Sequence, residues 1–188
     1  MCENPEPSRK LERVMRNGLT TRAGIAAVLT AALLMGGAPA GAQSMTLENL
    51  DHFPRATLVI QAPGHVYRFR AWIADTPARQ AQGLMFVRDL PADQGMIFPM
   101  RPPQVAKFWM ANTYIPLDML FVAPDGRIEK ITANAKPFSL KTISSGAPVE
   151  AVIEIGGGEA RALGITVGAL VQWSPNPIGD FPALPGRQ

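Results

Sequence analysis

Apolar and polar positions alternate in short runs along this chain, and the pattern predicts strands more than helices. Thr57-Leu58-Val59-Ile60 is β-branched and apolar. From Val66 to Ala74, Tyr67, Phe69, Ala71 and Ile73 share one face, with Val66 and Arg68 on the other. Pro63-Gly64 supplies the turn between them. Gly95 to Pro99 and Val105 to Met110 read as strands, separated by a break at Arg101-Pro102-Pro103. Leu117 to Ala123 and Arg127 to Thr132 flank Pro124-Asp125-Gly126, a strong hairpin signal. Val149 to Ile155 alternates, with Val149, Ala151, Ile153 and Ile155 on one side, and Ala169 to Trp173 is the last strand.

Two helices are expected. Asp75-Thr76 before Pro77 is a cap followed by a proline suited to the first helical position. This helix should run from Pro77 to about Val87, with Ala81, Leu84 and Met85 on one face. A second, of one or two turns, follows Gly156-Gly157-Gly158 from Glu159 to Leu163 and stops at Gly164. The fold class is therefore mainly β (α+β): a small barrel- or sandwich-like domain of about seven short strands with two short helices. The 18 prolines among 188 residues, nearly double the usual share, agree with short strands and many turns.

The N-terminus follows a different pattern. Arg9, Lys10, Arg13, Arg16 and Arg22 precede an uncharged, mostly apolar run from Ala23 to Met35, and Ala40-Gly41-Ala42 fits the small-x-small cleavage rule. Residues 1–42 are read as a signal peptide cut near Ala42, with Met1 or Met15 as the start. Residues 43–55 are a lead-in, 56–173 a single globular domain, and 174–188 a Pro-rich, disordered tail. The expected location is periplasmic or secreted, with an uncleaved anchor in the inner membrane as the alternative.

Removing the leader changes the charge. It holds five of the 18 basic residues, and three of the 15 acidic ones in Glu3, Glu6 and Glu12. That leaves 13 against 12. No dense basic cluster survives, so nucleic acid is excluded as a partner, and no membrane contact beyond the signal segment is expected. The single cysteine, Cys2, leaves with the leader. The mature part then has no disulfide, thiolate metal site or cysteine nucleophile.

The candidate chemistry centres on Asp118. It sits in Ile115-Pro116-Leu117-Asp118-Met119-Leu120-Phe121-Val122, sharing a strand face with Leu120 and Val122. A bare carboxylate there is costly, so it needs donors or a wet cleft. Donors close in sequence are Asn112, Thr113, Trp109 and Lys107. One reading is a carboxylate that ties down the Asn112 loop through backbone hydrogen bonds. The other is a ligand-binding or acid/base group in a pocket walled by Trp109 and Met110. The candidate ligand-binding residues are Trp109, Met110, Asn112, Thr113 and Asp118. A carboxylate pair for glycoside chemistry would need Asp118 near Asp75 or Glu154.

Met85, Met96, Met100, Met110 and Met119 could supply thioethers to copper, but their irregular spacing, without a nearby His, fits core packing better. His52 and His65 form no metal motif, and no metal or cofactor is expected. The triple glycine lacks the Lys and Ser/Thr of a phosphate loop, and Glu159 follows it.

From Phe69 to Val171 the chain resembles a family known as domain of unknown function 192. The matching segments are Ala74-Asp75-Thr76-Pro77, Gly83-Leu84-Met85-Phe86, Gly95-Met96-Ile97-Phe98, Phe108-Trp109-Met110-Ala111-Asn112-Thr113 with Ile115-Pro116-Leu117-Asp118, and Gly164-Ile165 with Val167-Gly168. Ala111 stands where the family has a basic residue, and Val87 where it has Arg. The resemblance implies a mostly β domain, often exported, and no reaction. The functional expectation is an exported non-catalytic domain that binds a small molecule or another exported protein at the Trp109–Asp118 loop. The alternatives are a hydrolase-type enzyme using Asp118 and a copper-handling protein.

Overall fold

The computed structural model describes residues 46–176. The expected signal peptide and cleavage site lie outside them. So does most of the Pro-rich tail. Among the described residues no helix is long and apolar enough to cross a membrane.

The strands are β1 (Arg55–Ala62), β2 (His65–Ile73), β3 (Gln94–Phe108), β4 (Leu117–Val122), β5 (Ile128–Ala135), β6 (Ile143–Gly156) and β7 (Leu170–Asn176). They form one sheet in the order β5-β4-β6-β3-β2-β1-β7. All neighbours are antiparallel except β2 and β3, which the crossover through α1 (Pro77–Gln82) makes parallel. The two edges approach each other at one isolated bridge, Arg127 to Leu170, so the sheet curls towards a barrel without closing. The domain is mainly β with two short helices.

Strand alternation gives the sheet two buried faces. Leu58, Phe69, Ile97, Leu120, Ile153 and Val171 belong to the cluster on one face. Met96, Phe98, Leu117, Met119, Phe121 and Val152 belong to the other. Each fully buried large side chain contributes roughly 1.5–3 kcal/mol, so both faces hold the sheet. The lead-in takes part, because Phe53 is completely buried. β7 runs on to Asn176, three residues into the stretch expected to be tail.

Two elements differ from expectation. α1 begins as predicted: Thr76 caps it by accepting from the Arg79 N–H, with Pro77 at the first turn. It stops at Gly83 rather than near Val87, because Gly83 adopts φ 51° and its N–H closes on the Arg79 carbonyl. The Arg101-Pro102-Pro103 break does not end a strand. β3 passes through it, with a cis bond before Pro102. The two prolines fall in a gap of the ladder to β6, between Pro99 and Gln104, where no backbone N–H is required. β3 and β6 are therefore two long, bent partners rather than the three short strands expected.

Candidate functional site

Asp118 is fully buried on β4, and its partners are not those near it in sequence. Oδ1 accepts from the backbone N–H groups of Asn134 at 2.7 Å and Gly158 at 2.8 Å, and Oδ2 from that of Ala160 at 2.9 Å. The reason is strand order. Leu117 stands opposite Ala135 on β5 and opposite Gly156 on β6, so Asp118 points between the end of β5 and the loop after β6. One β4 residue, Asp118, faces the two residues Ala133 and Asn134 between the paired positions, which is a β-bulge. Asn134 takes φ 49° there and turns its N–H onto the carboxylate.

The carboxylate also starts the second helix. α2 (Glu159–Ala162) has Gly158 at its N-cap with φ 83° and no side-chain cap of its own. Asp118 fills that role from another strand. The triple glycine follows from the same packing. A Cβ at Gly157 would stand 2.7 Å from the Pro116 Cβ and 2.9 Å from the Asn134 Oδ1. The structural reading of Asp118 thus holds in kind, but the loops it ties down are at Asn134 and Gly158, not at Asn112. Its oxygens are engaged by three backbone donors in a sealed position, which leaves an acid/base role for Asp118 without geometric support.

The remaining predicted residues separate. Trp109 is 58% exposed. Met110 is completely buried in the second cluster, and its N–H donates to the Ser139 carbonyl. It is core, not a wall. Asn112 is exposed, with φ 54°, and its carbonyl accepts from the Phe86 N–H at 2.8 Å. Thr113 is buried and donates its hydroxyl to the Ala111 carbonyl. Of the five, Trp109 and Thr113 line a common cleft. The methionines pack in the second cluster at Met96, Met100, Met110 and Met119.

That cleft, of about 380 Å³, lies between α1, the segment after it, and the outer part of β3. Its walls include Leu84, Phe98, Phe108 and Trp109, with Phe98 and Phe108 edge to face at 4.9 Å. Gln80, Gln104, Lys107 and Thr113 add polar groups. Glu154 lines it too, and it is 4% exposed. In register it faces Met96 on β3 and Met119 on β4. Among the described residues no hydrogen bond or ion pair engages its carboxyl group, and burial pushes its pKa up to about 8.

Glu154 is not among the five candidate binding residues that the sequence pattern suggests. The signal was present: Ala151-Val152-Ile153-Glu154-Ile155 is also one acid in an apolar strand. The two carboxylates do not form a pair. Asp118 alternates with Leu120 and Val122 of the first cluster, and Glu154 alternates with Val152 of the second, so they project from opposite faces.

A family model described as "Uncharacterized ACR" (DUF192) matches residues 58–173. Two solved structures are similar. One is a protein of unknown function from Novosphingobium aromaticivorans, 38% identical with a TM-score of 0.63, covering 68% of this chain and 99% of its own. The other, described as a putative transcription regulator from Sinorhizobium meliloti, is 37% identical with a TM-score of 0.61, covering 64% of this chain and 93% of its own. No curated protein matches.

Proposed function

We propose, for a chain that belongs to the domain of unknown function 192 family, a non-catalytic small-molecule binding role exercised outside the cytoplasm after removal of the leader. The binding site in this reading is the cleft lined by Trp109, Thr113 and Glu154. The observation that carries it is Glu154: a carboxyl group that no other described residue engages, in a largely apolar cleft large enough for a small ligand. Stability alone gives no reason to keep an acid there, because burial without a partner costs several kcal/mol when the group ionises.

Recognition suits the residue set better than catalysis. Among the residues lining the cleft, Lys107 is the only ionisable group besides Glu154, so no nucleophile with an oriented base is assembled. Nucleic acid is not proposed, since residues 43–188 carry a net charge near zero and no basic cluster.

A thermal-shift screen of the purified protein against small metabolites tests the reading. Compounds that raise the melting temperature should lose much of their effect in Trp109→Ala, in Glu154→Gln or in both. Stabilising compounds that are indifferent to both variants would place binding elsewhere and sink it.

A further inference from the structure

We propose that the cleft takes a small primary ammonium ion, its N–H groups received by Glu154 and its carbon skeleton held against Phe98, Phe108 and Trp109. This rests on the binding reading above and adds the chemical class of the ligand.

The cleft carries several uncommitted acceptors, beside one spare amide N–H on each of its two glutamines and the exposed Lys107 ammonium. Gln80 gives an N–H to the Pro99 carbonyl at 2.9 Å, which fixes its amide orientation and leaves Oε1 uncommitted. Gln104 turns its amide nitrogen to the Met100 sulfur at 3.7 Å, again leaving an oxygen. Thr113 donates its hydroxyl proton to the Ala111 carbonyl at 3.2 Å, so only lone pairs remain. Glu154 adds two carboxyl oxygens. A ligand that brings several donors finds acceptors for them in such a lining.

The walls point the same way. Aromatic faces attract cations, and the attraction grows where water is excluded. A cation also answers the unpartnered acid, because an opposite charge at contact distance favours its ionised form. A metal ion is a poorer fit: among the described residues no group of three or more His, Cys, Asp or Glu side chains could hold one.

The charges around Glu154 are few. From β3 and β4 it faces Met96 and Met119. From α1 the cleft receives Gln80 and Ala81, while Arg79 is engaged by Glu48 and Asp75. Lys107, exposed on β3, is the remaining ionisable lining residue. Binding should therefore be coupled to one proton. With the empty site titrating near 8, most molecules carry a protonated Glu154 at pH 7, and an arriving ammonium displaces that proton.

The experiment is calorimetry of the purified protein with phenethylamine, 2-phenylethanol and phenylacetate, three probes of like size and different charge. Phenethylamine should bind most tightly. Its apparent affinity should fall about tenfold from pH 7 to pH 6, because the competent, ionised fraction falls by that factor. Runs in buffers of different ionisation enthalpy should show close to one proton released at pH 7. Glu154→Gln should cost phenethylamine at least about tenfold in affinity at pH 8 and leave 2-phenylethanol unchanged. Should that variant not fold, the proton count of the unmodified protein decides, and zero release overturns the proposal. Equal or tighter binding of the alcohol or the acid refutes the ammonium class while a binding cleft stands. Binding of none of the three removes both readings.

Discussion

Replacing Asp118 by asparagine keeps the side chain's shape and removes its charge, so it isolates the brace that joins β4 to α2. In the native protein three backbone N–H groups, at 2.7, 2.8 and 2.9 Å, end on the two carboxylate oxygens. Asparagine has one acceptor oxygen. Its best orientation keeps that oxygen on the Asn134 and Gly158 donors and turns the amide NH₂ against the buried Ala160 N–H. A buried donor without an acceptor costs about 1–3 kcal/mol. The two surviving bonds lose their charge assistance, at roughly 1 kcal/mol each. The expected loss is about 3–5 kcal/mol. Urea unfolding followed by tryptophan fluorescence measures it. With a slope of about 2 kcal/mol/M, the midpoint should drop by about 2 M. A midpoint that moves by less than about 0.3 M, with phenethylamine binding abolished, would refute the argument and make Asp118 a ligand residue after all.

Other consequences can be checked in the same protein. Folded, Glu154 keeps its proton to about pH 8; unfolded, it releases it near its ordinary value of 4.5. Between those limits the folded state binds one more proton, so this residue lowers stability as pH rises, by about 1.4 kcal/mol per unit. Unfolding curves at pH 5, 6.5 and 8 should show that decline in the native protein and a flatter profile in Glu154→Gln, which should be the more stable of the two at pH 8. Gly157→Ala must push a methyl group towards the Pro116 ring and the Asn134 amide, at 2.7 and 2.9 Å. A loss of about 1–3 kcal/mol in the same assay is expected, and an unchanged midpoint would contradict the steric account of the triple glycine. If the proposed leader is removed, N-terminal sequencing of the protein isolated from its native cells should begin at Gln43, and an intact leader in the membrane fraction would favour the anchored form instead.

Much of the fold was legible in the sequence because its signals are local. Thr76-Pro77 starts α1, Gly64 and Gly126 turn hairpins, and the alternation in β2 places Phe69, Ala71 and Ile73 inward as predicted. The errors were also local rules overridden by context. A proline pair normally ends a strand, yet Pro102 and Pro103 lie where the ladder to β6 has a gap. A helical apolar face continues past Gln82 in sequence, yet Gly83 takes a left-handed turn and delivers Leu84 to the core.

The site was legible only in part. Trp109 and Thr113 were identified and do line the cleft, whereas Met110 is core and Asp118 faces the other way. That acids lodged in apolar strands must be compensated is readable from residue type alone, because the cost of a buried charge is a property of the side chain. Which acid found its compensation was decided by strand order. Pairing of β4 with β5 and β6 brings Asn134, Gly158 and Ala160 onto Asp118 from 16, 40 and 42 residues away. The same sheet turns Glu154 to its opposite face, where no backbone N–H of the described residues engages it. Contacts across that separation depend on how the sheet is assembled, and residue spacing does not encode it.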